Sequence, residues 1–171
     1  MADSIKARGE ALVSGRGEGR PVHVLGAELT IKISSRDTNG AFTVFEGHTP
    51  PLEGPPLHRH RDHDEWWYIV QGEYRFEVDG KEIHATAGAT VFAPRGSSHT
   101  FQNVGAEPGW TITTVVPGGV DLFFEDLEKV VPRGAVPDPA KVLPIFEKHG
   151  QEMLGPPLRT RPAVAGGATR L

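Results

Sequence analysis

The stretch GEYRFEVDGKEIHATAG, residues 72–88, decides the fold class. Tyr74, Phe76 and Val78 alternate with Glu73, Arg75 and Glu77, the two-residue period of a strand with one buried face. Asp79-Gly80 is a hairpin turn signal, and Lys81 to Thr86 returns with Ile83 inside.

Similar short runs lie on both sides. Upstream, VHVLGAELTIKIS (22–34) sets Leu29, Ile31 and Ile33 against Thr30, Lys32 and Ser34. RDTNG (36–40) reads as a turn and AFTVFEG (41–47) as a strand. HTPPLEGPP (48–56) reads as an ordered loop, because its prolines cannot donate to a central ladder. Downstream, ATVFAP (89–94), HTFQNV (99–104) and WTITTVVP (110–117) read as further strands separated by turns. After Pro117 the period changes. Val120, Phe123, Phe124 and Leu127 fall at helical spacing, and DPAKVLPIFEKHG (138–150) carries Asp138 as N-cap, Pro139 at the first position and Gly150 past the end. Pro144 sits in the first turns of that helix or kinks it.

The pattern predicts an all-β antiparallel sandwich or barrel over residues 22–117, followed by C-terminal helices over 118–154 packed outside it. Residues 1–21 form an N-terminal arm, in which EALVS is either loose chain or a short edge strand. Residues 155–171, polar and rich in Pro and Gly, are expected to be a disordered tail.

Composition narrows the function. The 171 residues carry a net charge of −4, with no basic run to suit nucleic acid or a membrane surface. There is no cysteine, so any metal is held by nitrogen and oxygen. No apolar leader or spanning segment is evident, which predicts a cytoplasmic protein.

Three of the eight histidines lie within HRHRDH, residues 58–63. His58 and His60 are two apart and leave the same face of a strand. Glu65 has the wrong parity for that strand, but RDHD is a turn composition, and a reversal there lets Glu65 face the pair. His99 opens a later strand. Three imidazoles and a carboxylate meeting in a barrel suit one first-row divalent ion (Fe, Mn, Ni, Co or Zn) with positions left for water or substrate. An isolated His-x-His would more simply be read as a solvated loop.

Around these residues the sequence resembles the two motifs of the cupin superfamily. His58-x-His60, four residues, Glu65, six residues and Gly72 follow the first motif, although Gly54 precedes His58 by three residues where the motif has five. Gly88, five residues, Pro94-Arg95-Gly96, two residues, His99, three residues and Asn103 follow the second. A looser likeness over 22–153 is to single-domain bacterial cupins of quercetin-dioxygenase-like type. The resemblance implies a cupin-type β-barrel (double-stranded β-helix, or jelly roll) and the metal ligands His58, His60, Glu65 and His99.

Three functions are consistent with such a centre. The first is a dioxygenase acting with O2 on a small enolic or aromatic, flavonol- or catechol-like substrate, with Glu65 as ligand and catalytic base. The second is an isomerase or lyase of a small carbonyl compound or sugar, which would draw on Arg59, Gln102 or Asn103. The third is a non-catalytic ligand-binding domain. Among neighbouring residues, His63 reads first as a solvent-facing turn residue, with a place behind the ligands or at the substrate's entry as the alternative, and His84 as a surface group. Phe45, Phe76, Phe92 and Phe101 read as core, some of them also lining an apolar pocket beside the metal, and Asp62 and Asp64 as turn residues. Trp66, Trp67 and Tyr68 cannot all face inward, and the exposed aromatics predict a homodimer.

Overall fold

A computed structural model describes residues 11–160 and 169–170. Among them the chain forms β1 (Arg20–Val24), β2 (Ala27–Ile33), β3 (Thr43–Thr49), β4 (Pro56–His60), β5 (Asp64–Gln71), β6 (Glu73–Val78) and β7 (Lys81–Thr86). There follow β8 (Thr90–Ala93), β9 (Ser98–Asn103), β10 (Gly109–Val116), α1 (Val120–Val130), α2 (Pro139–Lys148), β11 (Gln151–Pro157) and β12 (Thr169–Arg170). One six-stranded sheet runs β1-β2-β3-β10-β5-β8 and the other β11-β4-β9-β6-β7-β12. This is a two-sheet jelly roll: the strand pattern predicts its antiparallel sandwich, and the resemblance its jelly-roll form. Asp79 (φ 47°) and Gly80 (φ 75°) both take positive φ at the β6–β7 turn, as a two-residue hairpin demands.

Strand alternation sorts the side chains. In β5, Trp67 and Ile69 are buried while Trp66 and Tyr68 point out, so the three aromatics divide as expected. Trp67 and Ile69 pack with Tyr74, Phe76, Ala85, Val91 and Ala93 between the sheets. Phe92 breaks the expectation of a core residue. It lies opposite Trp66, on the outer side of β8, and is 57% exposed.

The helices also differ from expectation. Phe45, Thr113 and Trp67 are register partners across β3, β10 and β5, so they share the inner face of the first sheet. Phe45 meets Phe124 of α1 edge-on, with ring centroids 5.3 Å apart. Val22, Ile31, Phe45 and Val115 form one core with Val120, Phe123, Leu127, Val142 and Phe146. The second sheet covers only part of that inner face, so the helices close the remainder rather than lying outside the barrel. Asp121 fixes the joint: its buried carboxylate accepts hydrogen bonds from Ser35 N–H (3.1 Å), Ser35 Oγ (3.0 Å) and Thr43 Oγ1 (2.9 Å). Three donors offset the cost of burying the charge, and its place in the first turn suits the helix dipole. Asp138 caps α2 by accepting from Ala140 N–H, as its sequence position predicts.

Of the two readings of the N-terminal arm, Ala11–Ser14 take the one without a strand, and Glu10 lies outside the described residues. Just after them, Arg16 and Gly17 meet the outer face of the first sheet. Gly17 N–H reaches the Glu46 carboxylate at 3.2 Å, and the Arg16 guanidinium lies 4.1 Å above the Trp110 ring. At the other end, Gln151–Pro157 is neither helix nor disordered tail. It is β11, antiparallel to β4. The prolines and glycine of EMLGPP are tolerated because β11 is an edge strand with register irregularities at Met153–Gly155 and Gly155–Pro157. Residues 161–168 and 171, also expected to be tail, lie outside the described residues.

Candidate metal centre

His58 and His60 leave the inner face of β4, and His99 lies opposite His58 on β9. The chain reverses through Arg61–His63, and β5 brings Glu65 back toward the pair. Each of His58, His60, Glu65 and His99 offers a ligand atom within 4.8 Å of the others. The imidazole centroids form a near-even triangle: 4.4 Å for His58–His99, and 5.1 Å for both His58–His60 and His60–His99.

The fourth group faces this triangle. Glu65 Oε2 stands 3.3 Å from His60 Nε2 and 3.2 Å from His99 Nε2. First-row divalent ions bind imidazole nitrogen and carboxylate oxygen at about 2.0–2.2 Å, so adjacent ligands on one ion stand about 3 Å apart. The observed separations fit that span.

The electrostatics agree. Burial, reinforced by the other imidazoles, pushes His58 down to about 3 and His60 well below the usual histidine range. Both rings are therefore neutral at ordinary pH, the form that binds metal. His58 Nδ1 lies 2.9 Å from the Pro56 carbonyl and His99 Nδ1 lies 3.2 Å from that of Ser97. A proton held there leaves Nε2 as the ligand atom.

Neighbouring residues have other duties. Asp64 points away to Arg95, whose hydrogen bonds hold its carboxyl down to about 2. Arg59 pairs with Glu152 at 2.6 Å. Gln102 binds the Leu52 carbonyl and Arg75, and Asn103 holds the Thr49 and Glu107 carbonyls. His48 stacks on Trp110 and binds Glu46 on the outer face, while His84 lies 3.5 Å from Glu73. His63 differs from its first reading as a solvent-facing turn residue. Its ring centroid is 6.0 Å from that of His60, its Nδ1 is buried without a hydrogen bond, and burial lowers its pKa. Gln151 was not foreseen at all, yet its Nε2 lies 3.3 Å from His60 Nδ1. No motif position marks it, and only the β4–β11 pairing reveals it.

Comparison with known proteins gives the same picture. A family model described as "Cupin domain" matches residues 45–115. The oxalate-binding protein of Thermotoga maritima is 32% identical over 91 residues, 53% of this chain and 69% of that protein. Quercetin 2,3-dioxygenase of Bacillus subtilis is 26% identical over 97 residues, 57% of this chain and 28% of that enzyme. The structure of KdgF from Halomonas sp. superposes with a TM-score of 0.56 at 18% identity, covering 67% of this chain and 98% of that one, and so shares the fold.

Proposed function

The chain belongs to the cupin family, and on that premise we propose that it is a metal-dependent dioxygenase of a small enolic or aromatic substrate. In this reading His58, His60, Glu65 and His99 hold one divalent transition metal. The observation that carries the reading is the convergence of two buried Nε2 atoms and His58 on one face of the Glu65 carboxylate. When bound, such an ion acts as a Lewis acid, lowering the pKa of a coordinated hydroxyl and bringing it together with O2.

The protein's own contribution starts with Glu65. Oε2 faces His60 and His99, and in this reading the other oxygen, Oε1, accepts the substrate's hydroxyl proton. The neutral His58 and His60 rings add no positive charge that would compete for the resulting anion. Trp67 packs edge-on against His99 (5.4 Å) and, with Phe101 and Phe76, supplies an apolar wall that excludes water. Arg59, Gln102 and Asn103, the polar groups an isomerase or lyase would call on, are engaged elsewhere. That favours a flat, weakly charged substrate.

A screen for oxygen uptake with flavonols and catechols tests this, run on protein loaded in turn with each candidate metal. Oxygen uptake that depends on substrate supports the proposal, while turnover that proceeds without oxygen contradicts it. The likeness to an oxalate-binding protein supports a second reading, capture of a small dicarboxylate. Oxalate binding by calorimetry with no oxygen consumption would favour it. Finally, the exposed outer-face row Trp66, Tyr68 and Phe92 supports association with a second copy, testable by light scattering.

A further inference from the structure

The three imidazoles of the centre are braced in two different ways. His58 and His99 each place Nδ1 against the carbonyl two residues upstream, Pro56 at the start of β4 and Ser97 just before β9. Those contacts are local in the chain. Among the described residues His60 has no such carbonyl contact for its Nδ1. The atom meets Gln151, 91 residues further along the chain, at 3.3 Å.

That meeting is built rather than incidental. Gln151 is the register partner of His60 across β4 and β11, so both side chains leave the same face of the pair. It is 3% exposed, at the start of an edge strand in which Met153 and Leu154 are 40% and 42% exposed. The register is held on one side by the Arg61 N–H to Gly150 carbonyl bond at 2.9 Å. On the other it is held by the Arg59–Glu152 ion pair on the opposite face of the strands. A buried amide is thus aimed at the outer nitrogen of a ring whose other nitrogen faces Glu65.

The chemistry sets the orientation. With His60 Nε2 given to an ion, the neutral ring carries its proton on Nδ1 and needs an acceptor. The two ends of a glutamine amide are nearly the same size. A half-turn about its last bond puts Oε1 where Nε2 stands and makes the contact donor to acceptor. We infer that Gln151 is the positioning residue of the metal centre, accepting the His60 Nδ1 proton so that Nε2 is presented to the ion. The inference rests on the metal-binding reading above. It makes the C-terminal strand, which lies beyond the residues matched by the family model, part of the metal site.

The test uses the full chain, stripped of metal and titrated with Co(II) and Zn(II) against a chromophoric chelator. Wild type, Gln151→Leu, Gln151→Glu and His60→Ala are compared, with the Co(II) absorption spectrum and the apo melting temperature recorded for each. Outer partners of ligating histidines are worth about 10–100-fold in metal affinity. Gln151→Leu, which keeps bulk but removes the acceptor, is expected to lose that much and to shift the Co(II) bands. Gln151→Glu, which keeps an acceptor, is expected to bind at least as tightly as wild type. Binding by Gln151→Leu within threefold of wild type overturns the inference, as does equal weakening in both variants. If Gln151→Leu fails to fold, Gln151→Glu decides alone: tight binding with the wild-type spectrum supports the inference, and a tenfold loss overturns it. Failure of the underlying reading looks different, because wild type would then bind no better than His60→Ala, overturning both.

Discussion

Strands β3 to β10 and the segment after Pro117 serve the same centre by different means. The first region brings the candidate ligands themselves, set by strand period and one tight reversal. The second brings no ligand. It supplies the helices that close the open part of the first sheet's inner face, and the strand that places Gln151 behind His60. The candidate ligands thus sit in a contiguous stretch, while the groups that close and brace the candidate site arrive from elsewhere in the chain.

Substitutions should separate the two regions. Glu65→Gln keeps the shape but removes the carboxylate, and substrate-dependent oxygen uptake is expected to fall at least about 100-fold, the usual worth of a positioned base. Unchanged uptake would detach Glu65 from the chemistry. In the second region, Leu127→Ala opens a cavity in the fully buried core under α1. Denaturant unfolding should show a loss of about 2–5 kcal/mol with metal stoichiometry unchanged. Loss of metal at equal stability would mean the regions are not separable in this way.

Acid acts on the first region. His58 is held near 3 when folded against an ordinary value of 6.5, so between those limits the unfolded chain binds the extra proton. Stability of the apoprotein is therefore full above about 6.5 and declines as pH falls toward 3, with His60 adding in the same direction. Replacing His58 by Gln should flatten the apoprotein's melting temperature against pH across that window. The smallest effect is expected on the outer face. Trp66→Ser, at a site 49% exposed, should change stability by no more than about 0.5 kcal/mol and leave metal content intact. Light scattering should report a mass of one chain in place of two.

The division also explains what could be read from sequence. Alternation in β2 and β6 and the 3.6-residue spacing in α1 are local signals, and with the turn signals between short apolar runs they sufficed for an antiparallel β class followed by helices. The candidate ligands His58, His60, Glu65 and His99 were legible through their resemblance to the two motifs, and strand parity with a reversal at RDHD made their convergence admissible. β11 was not legible, because burial there runs against hydrophobicity: Gln151 is buried while Met153 and Leu154 are exposed. Its pairing with β4 spans some ninety residues, and Gly155 and the prolines after it suggest loose chain. His63 was misread for a related reason, since a turn composition gives no sign that the turn folds back toward His60. Phe92 failed the opposite way, an aromatic left on an outer face where hydrophobicity predicts a core position.

The most direct test is elemental analysis of the full chain purified without chelators or an imidazole column, beside His99→Ala prepared identically. The account predicts about one transition-metal ion per wild-type chain, and in the variant less than about a tenth of that together with a lower melting temperature. Wild-type protein that takes up no ion even when one is supplied, or a variant that retains the full complement, would contradict it.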